Sequence, residues 1–247
     1  MLVLVLVYFA HLWRAPHAGD AWRVSRRARA PSQAASGRGR AALVRAGGRR
    51  ACGGVRVAAR WAAAPAHCVA ARAHPLSAHS LSAWKISYRL HSHLYFETDI
   101  VRGVVHSHFN GEDFSNNIGL FEQADPIFTD DYRLDDADVS DEYLQMNAHN
   151  LSVVGWEGIT GLPMDVPVSP VPLQRCRQYM NPVLELRSYE FCMQLKKNYT
   201  IEHGSAMLVG AEVKGLIAWG DKSGHLPLVI LHIGYYRNWI ENIVNLY

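Results

Sequence analysis

The second half of the chain contains short apolar runs that predict β-strands. Residues 206–209 and 213–219 are two such runs, and Gly210-Ala211-Glu212 between them predicts a hairpin. Residues 153–156 predict another short strand. Many short strands followed by a single terminal helix indicate an all-β barrel or sandwich. The terminal helix is predicted because apolar residues recur at the spacing of one helix face, at Tyr236, Trp239, Ile240, Ile243, Val244 and Tyr247.

The first residues of the chain predict a secretory signal. Residues 2–13 are apolar except for His11, and this run is too short to span a bilayer. Residues 15–19 include the small side chains that signal peptidase prefers. We therefore expect residues 1–18 to be removed, and the mature chain to be secreted and extracellular with no membrane span.

The four cysteines form two pairs with equal spacing, Cys52 with Cys68 and Cys176 with Cys192. An even count in an oxidising compartment predicts disulfides, for which four cysteines allow three connectivities. A zinc site is the alternative, but no pair has the C-x₂₋₄-C spacing of structural zinc sites. We favour two local disulfides.

The composition is that of a folded protein, since 49% of the 247 residues are hydrophobic and 19% are charged. The net charge of +3 hides a strong asymmetry. Residues 1–90 carry fifteen basic side chains and one acid, whereas residues 91–247 carry ten basic side chains and 21 acids. The sequence lacks a nucleotide-binding glycine loop, a paired-carboxylate signature and a redox CxxC motif, so several enzyme classes are excluded.

The charged stretches have two interpretations each. Residues 23–72 are rich in arginine and contain no acid, so they can attract anionic surfaces such as heparin-like glycans, bacterial envelopes or nucleic acid. Drift toward an Ala/Arg-rich composition explains them equally well. Residues 112–142 carry eleven acids and one arginine, which predicts a solvated connecting loop, with a calcium site as the alternative.

Two histidine pairs have spacing that brings imidazoles together on a strand. The pairs are His91 with His93 and His106 with His108, and residues i and i+2 of a strand face the same side. Such pairs can bind zinc or copper, although a solvated strand edge is the simpler interpretation.

Five motifs follow one another along the chain, at residues 52–69, 117–121, 154–156, 191–192 with 203–209, and 215–220. Together they resemble the chymotrypsin/trypsin family of secreted serine proteases. The first resembles the CGG…W…AAHC pattern around the family's catalytic histidine, and the others resemble DIALL, V-x-G-W-G, FC with DSGGPLV, and G-I-V-S-W-G. The closing helix resembles Y-x-x-W-I-x-x-x-V.

The resemblance implies two six-stranded antiparallel β-barrels with a cleft between them. It gives a trypsin-like domain over residues 19–247, with an N-terminal barrel at about 24–125, a C-terminal barrel at about 140–235 and a closing helix at 236–246.

The resemblance also implies that the catalytic triad is degenerate. The histidine position is His67, but the aspartate position is Asn117 and the serine position is Gly204. Glycine has no hydroxyl and cannot form an acyl-enzyme. An asparagine favours the wrong histidine tautomer, and in the family's reference enzyme that change lowers kcat by about 10⁴. Ser205 lies one residue further on, and we expect its hydroxyl to point elsewhere. His67 is then expected to be a packed structural histidine.

Supporting parts of the family's machinery are changed as well. Glu202 stands at the oxyanion-hole glycine, where a carboxylate would repel the developing oxyanion. His203 stands at the aspartate that pairs with the activated N-terminus. The activation motif corresponds to residues 23–27, and the specificity-pocket disulfide to Thr200 with Ser223. The pocket floor falls near Asn198, and Trp219 and Gly220 are further pocket residues.

Two glycosylation sequons begin at Asn150 and Asn198. Asn150 is predicted to lie in a surface loop and to be modified, whereas the second sequon falls where the family is buried.

The sequence therefore predicts a secreted, inactive serine protease homologue with no cofactor. We expect it to bind extracellular proteins, such as active serine proteases or their substrates, as a cofactor or decoy in a protease cascade. The alternatives are an active serine endopeptidase and a cationic surface-binding or antimicrobial module.

Overall fold

The computed structural model describes most of the chain from residue 40 onward. The described residues are 40–45, 49–70, 76, 81–91, 94–125, 150–156, 163–180, 185–196, 201–209, 212–220 and 226–246. The predicted signal peptide, the activation motif at 23–27, His93, Asn198, Thr200 and Ser223 lie outside them.

The described strands form two closed six-stranded antiparallel barrels, as the family resemblance implied. The first barrel has the order β1-β2-β3-β6-β5-β4 and the second has the order β10-β11-β12-β9-β8-β7. The strands are β1 Arg40–Arg45, β2 Arg49–Ala58, β3 Trp61–Ala64, β4 Trp84–His91, β5 Leu94–Val105, β6 Gly119–Gln123, β7 Leu151–Trp156, β8 Pro163–Val171, β9 Glu190–Leu195, β10 Ala206–Val209, β11 Glu212–Gly220 and β12 Leu228–His232.

Strand β6 corrects the prediction that the acid-rich stretch 112–142 is entirely a solvated loop. All five residues of β6 are buried, and they pair with β3 and β5 inside the first barrel. Glu122 is accommodated there because Arg60 and Arg102 approach its carboxylate at 3.6 and 3.3 Å. Residues 126–149 of the stretch lie outside the described residues.

The second barrel contains the predicted hairpin. Strands β10 and β11 pair antiparallel, with Ala206 opposite Leu216. Strand β7 pairs with β10 and covers the predicted strand at 153–156. The barrel is filled by large apolar side chains that are fully buried, among them Met193, Met207, Ile217 and Ile230.

The predicted C-terminal helix is present as α2, Arg237–Leu246, after a 3₁₀ turn at Ile233–Tyr236. Ile240 and Ile243 of α2 are buried in the core cluster that also contains side chains of β2, β3 and β11. The two barrels therefore share one apolar core at their junction. None of the described helices has the length and apolar character needed to cross a membrane.

A second helix, α1 at Leu173–Met180, was not predicted. Only Cys176 and Met180 of this helix are buried, so its apolar positions are too few to produce a visible period.

Both predicted disulfides are confirmed, Cys52–Cys68 and Cys176–Cys192. The first joins β2 to the 3₁₀ turn Ala66–Cys68, and the second joins α1 to β9.

Candidate functional site

His67 lies in a short turn that follows β3. Pro65 precedes the 3₁₀ turn Ala66–Cys68, and the Cys68 amide donates to the Pro65 carbonyl at 3.2 Å. The disulfide from Cys68 to Cys52 attaches this turn to β2. The turn's hydrogen bond and the disulfide therefore constrain the backbone at His67, and the residue is partly exposed.

Asn117 is fully buried beside His67. Its Oδ1 accepts from the His67 backbone amide at 3.0 Å, and its Nδ2 donates to the Ala218 carbonyl at 3.1 Å. These two backbone partners fix which way the side-chain amide faces. The His67 Nδ1 atom then lies 3.1 Å from Oδ1 and 2.9 Å from Nδ2. Asn117 can thus serve His67 either as acceptor or as donor.

His203 contacts the other side of the His67 ring. Its Nδ1 atom lies 3.2 Å from Nε2 of His67, and its Nε2 atom lies 3.1 Å from the Gly220 carbonyl oxygen. One set of neutral tautomers satisfies the whole row. Asn117 Nδ2 donates to His67 Nδ1, His67 Nε2–H donates to His203 Nδ1, and His203 Nε2–H donates to Gly220. In this set, the His67 nitrogen that would act as a base is protonated and occupied.

Gly204 has no room for a side chain. Its φ is +84°, and a Cβ atom there would lie 2.0 Å from the Gly53 carbonyl oxygen and 2.7 Å from Cδ of Pro65. The close approach is maintained by a 2.7 Å hydrogen bond from the Gly53 amide to the His203 carbonyl. Strand β2 and the turn 201–205 are therefore packed backbone to backbone. We call Asn117, His67, His203 and Gly204 the central cluster.

The backbone amide of Gly204 is also occupied. It donates to the Ile217 carbonyl at 2.7 Å, and the Ile217 amide donates in return to the Ser205 carbonyl at 3.0 Å. In active members of the family, the nucleophile's own amide helps to bind the oxyanion. Here that donor is directed at β11.

Ser205 is 2% exposed, and its hydroxyl has no hydrogen-bond partner among the described residues. His67 is therefore not its partner, in agreement with the expectation that this hydroxyl points elsewhere.

A loop of the first barrel places Phe114 against His67. The two rings meet edge to face with centroids 5.3 Å apart. Phe114 and Asn116 both have positive φ, at 55° and 48°, which is uncommon for residues with side chains. The Tyr189 hydroxyl accepts from the Asn116 amide at 3.0 Å, and the Tyr236 hydroxyl donates to Asn116 Oδ1 at 3.2 Å. Tyr189, just before β9, and Tyr236, in the 3₁₀ turn before α2, thus hold this loop.

An ion pair holds the same loop at its outer edge. The Arg187 guanidinium lies 2.7 Å from the Asp113 carboxylate. Burial acts to raise the pKa of Asp113, but hydrogen bonds from Ser115 and the charge of Arg187 outweigh it and hold the pKa below its usual value.

The wall of the second barrel contains a buried acid that the sequence analysis did not single out. Glu190 is 4% exposed, and burial raises the pKa of its carboxyl. The Arg187 amide donates to its Oε2 at 2.9 Å, and Trp219 also hydrogen-bonds to it. Glu190 is thereby a neighbour of Trp219, a predicted pocket residue.

The pair His106 and His108 does not lie on a strand, so the predicted strand geometry is wrong. Both residues follow β5, because the chain turns there and the His108 amide donates to His106 Nδ1 at 3.3 Å. The His106 ring packs against Tyr236 of the 3₁₀ turn and Trp239 of α2, with ring centroids 5.4 and 5.1 Å away. Burial, followed by the charge of His108, lowers the pKa of His106.

One group of three or more metal-ligating side chains lies in the described part of the chain, and it consists of Cys52, His67 and Cys68. The ligand atoms lie within 4.8 Å of one another. The two sulfurs are joined in a disulfide and offer no thiolate, so this trio as it stands cannot chelate a metal.

The remaining predicted site residues lie apart from the central cluster or at its edge. Glu202 is partly exposed in the turn 201–205, and Gly220 receives His203. Asn150 is exposed immediately before β7, and its glycosylation stays a prediction.

The sequence analysis missed the contact of His203 with His67. The signal that could have found it was a histidine in a position where the family has an aspartate next to the nucleophile.

Comparison with known proteins gives a family and a fold. The sequence profile named Trypsin matches residues 27–240. A search of curated proteins gives no significant match.

Three solved structures share the fold. Kallikrein-related peptidase 10 is 17% identical with a TM-score of 0.67, and the match covers 87% of this chain and 98% of that one. The scabies mite inactivated protease paralogue S-I1 is 19% identical with a TM-score of 0.68, covering 84% and 94%. The Vibrio cholerae VesB protease is 22% identical with a TM-score of 0.67, covering 85% and 64%.

Proposed function

This chain belongs to the trypsin family, and on that premise we propose that it is a serine protease homologue that binds other proteins without cleaving peptide bonds. The observation that carries the proposal is the 3.2 Å contact between His67 Nε2 and His203 Nδ1. A general base must present a free lone pair to the hydroxyl that it activates. An imidazole occupies that position here.

The turn 201–205 supports the proposal independently. The nucleophile position is a glycine whose Cβ space is filled by the Gly53 carbonyl, so a hydroxyl cannot be added there without moving the backbone. The Gly204 amide donates to Ile217 and is not available to an oxyanion. Nucleophile, base and oxyanion stabilisation are therefore each obstructed by a separate contact.

The retained scaffold supports a binding role outside the cell. Two disulfides suit an oxidising compartment, and secretion follows from the predicted signal at residues 1–18. Extracellular proteins that recognise the family's fold, such as active serine proteases or their substrates, are the proposed partners. One of the similar structures is itself described as an inactivated protease paralogue. Binding of anionic surfaces by the arginine-rich segment stays a prediction.

Labelling with a fluorophosphonate probe tests whether the chain has an activated serine. The purified secreted protein is treated with trypsin, the trypsin is inhibited, and the probe is added with an active trypsin-family enzyme as the positive control. We expect no label on this chain and full label on the control. Label that maps to Ser205, and that disappears in Ser205→Ala, would contradict the proposal and support the endopeptidase alternative.

A second experiment tests the binding role. The chain is added at increasing concentration to an active trypsin-family protease with a protein substrate, and the cleavage rate is measured. We expect a saturable change in rate that a peptide substrate does not report, since a cofactor or decoy acts through the protein partner. An unchanged rate over a panel of such pairs would remove the proposed partner class.

A further inference from the structure

We propose that His67 and His203 together form a binding site for a zinc ion within the central cluster. The sequence analysis named His203 only as a replaced aspartate and considered metal binding only for other residues. Three features of the described structure argue for the site. They are an oxygen acceptor on the far side of each imidazole, the distance between the two ring nitrogens that lie next to each other, and the side-chain amide of Asn117, which offers both a donor and an acceptor.

Each imidazole has an oxygen acceptor on the side that faces away from the other. His203 Nε2 lies 3.1 Å from the Gly220 carbonyl oxygen, and His67 Nδ1 lies 3.1 Å from Oδ1 of Asn117. When both outer nitrogens donate to these oxygens, both inner nitrogens carry lone pairs. Two lone pairs at this 3.2 Å separation repel each other, and a cation that both nitrogens bind removes that repulsion. Zinc-ligating histidines typically donate their second ring N–H to such an oxygen.

The distance between the inner nitrogens matches the span of a zinc ion. With Zn–N bonds of about 2.0–2.1 Å and tetrahedral angles, two ligating nitrogens lie about 3.3–3.4 Å apart. His67 Nε2 and His203 Nδ1 are 3.2 Å apart. The two nitrogens therefore already have about the separation of two zinc ligands, and the rings would tilt so that both lone pairs point at the ion.

Asn117 allows His67 to change tautomer without moving. In the proposed metal-free state, the ring proton is on Nε2, and Asn117 Nδ2 donates to His67 Nδ1 across their 2.9 Å separation. With zinc bound, the proton sits on Nδ1 and donates to Oδ1, while Nε2 binds the metal. An aspartate at this position would offer only acceptors. The asparagine that weakens catalysis thus permits both states.

The proposed site is open. Both imidazoles are partly exposed, so water or a carboxylate of a bound protein can complete the tetrahedron. The Cys68 sulfur lies 4.0 Å from His67 Nε2 but is held in its disulfide. Two protein ligands predict weaker binding than at a structural zinc site with four.

Zinc titration of the full secreted chain by calorimetry at neutral pH tests the proposal. We expect one zinc ion per chain, and a loss of affinity in His67→Ala and in His203→Ala that exceeds the roughly 10- to 100-fold cost of removing an outer partner. The matched control is the double variant His106→Ala/His108→Ala, which removes the other described histidine pair and should bind zinc like the parent. Circular dichroism verifies the fold of each variant.

The outcomes separate the sites. Zinc binding that survives in both His67→Ala and His203→Ala, or that is lost in the control, would overturn the proposal, as would absence of binding in the parent chain. A second readout is the nitrogen-15 spectrum of histidine-labelled protein, in which zinc should convert His67 from the Nε2–H to the Nδ1–H tautomer. An unchanged His67 tautomer at saturating zinc would also count against the site. Neither readout depends on whether the chain cleaves peptides.

Discussion

The first barrel contributes His67 and Asn117 to the central cluster, and the second contributes the turn with His203 and Gly204. On the first barrel the asparagine is still tied to two backbone groups, the His67 amide and the Ala218 carbonyl. On the second barrel the backbone has closed on β2, and a Cβ at Gly204 would meet Gly53. The first side therefore keeps a hydrogen-bonded side chain next to His67, while the second has no room for a side chain at Gly204.

The difference follows from what each side needs. An asparagine is nearly the same size as an aspartate and fills the same buried space with backbone hydrogen bonds intact, so the packing around His67 survives the change. A glycine in place of serine removes a side chain, and nearby backbone can occupy the volume because interiors are close-packed. An aspartate at position 117 would therefore need no extra space, whereas a side chain at position 204 would have to displace the Gly53 carbonyl.

Gly204→Ser has the largest expected effect, and it tests whether the turn 201–205 has room for a side chain. We expect no recovery of fluorophosphonate labelling and a loss of about 2 to 6 kcal/mol in the free energy of unfolding, from overpacking and from positive φ. Urea unfolding measures the loss. Gly119→Ala is the control, because a Cβ there would meet the Phe121 ring at 3.0 Å rather than backbone at 2.0 Å, so its loss should be smaller. A stable, labelled Gly204→Ser protein would show that the turn reopens easily.

Asn117→Leu tests the hydrogen bonds on the first-barrel side of the central cluster, with a residue of similar size. The leucine leaves the His67 amide and the Ala218 carbonyl without their side-chain partner, and we expect a loss of about 2 to 4 kcal/mol, since each buried unsatisfied group costs about 1–3 kcal/mol. Unfolding in urea measures it. A loss of less than about 1 kcal/mol in the free energy of unfolding is within the range of one ordinary hydrogen bond. It would mean that water replaces the Asn117 side chain and that Asn117 does not fix the backbone around His67.

His106→Phe has the smallest expected effect and concerns the contact of the first barrel with the closing helix. The folded pKa of His106 lies below its ordinary value of 6.5. The unfolded chain therefore takes up a proton first, and the stability that neutral His106 contributes above pH 6.5 is lost as the pH falls toward the folded pKa.

Phenylalanine keeps the packing on Tyr236 and Trp239 but cannot take up a proton. The melting temperature of the variant should therefore fall less than that of the parent between pH 7.5 and pH 5. The difference should be a few degrees at most, because about 1 kcal/mol shifts Tm by about 2–4 °C in a domain of this size. Parallel pH profiles for parent and variant would show that His106 does not titrate in this range.

Much of the fold could be predicted because its signals are local. The hairpin of β10 and β11 follows from two apolar runs separated by a short turn, and both disulfides join cysteines only 16 positions apart. Helix α2 has a clear apolar period, whereas α1 buries only Cys176 and Met180 and escaped prediction. Strand β6 could not be predicted from the charge pattern, because Glu122 is paired with two arginines, Arg60 and Arg102, that are distant in sequence but adjacent in the barrel.

The candidate site divides in the same way. The family resemblance named His67, Asn117 and Gly204 and the missing hydroxyl, since these depend only on residue type at a motif position. The tertiary structure decided that His203 lies on His67, 136 positions away in the chain, and that the Gly53 carbonyl fills the space at Gly204. Such contacts depend on how two barrels pack against each other, and no local pattern of residues encodes a distance of that kind.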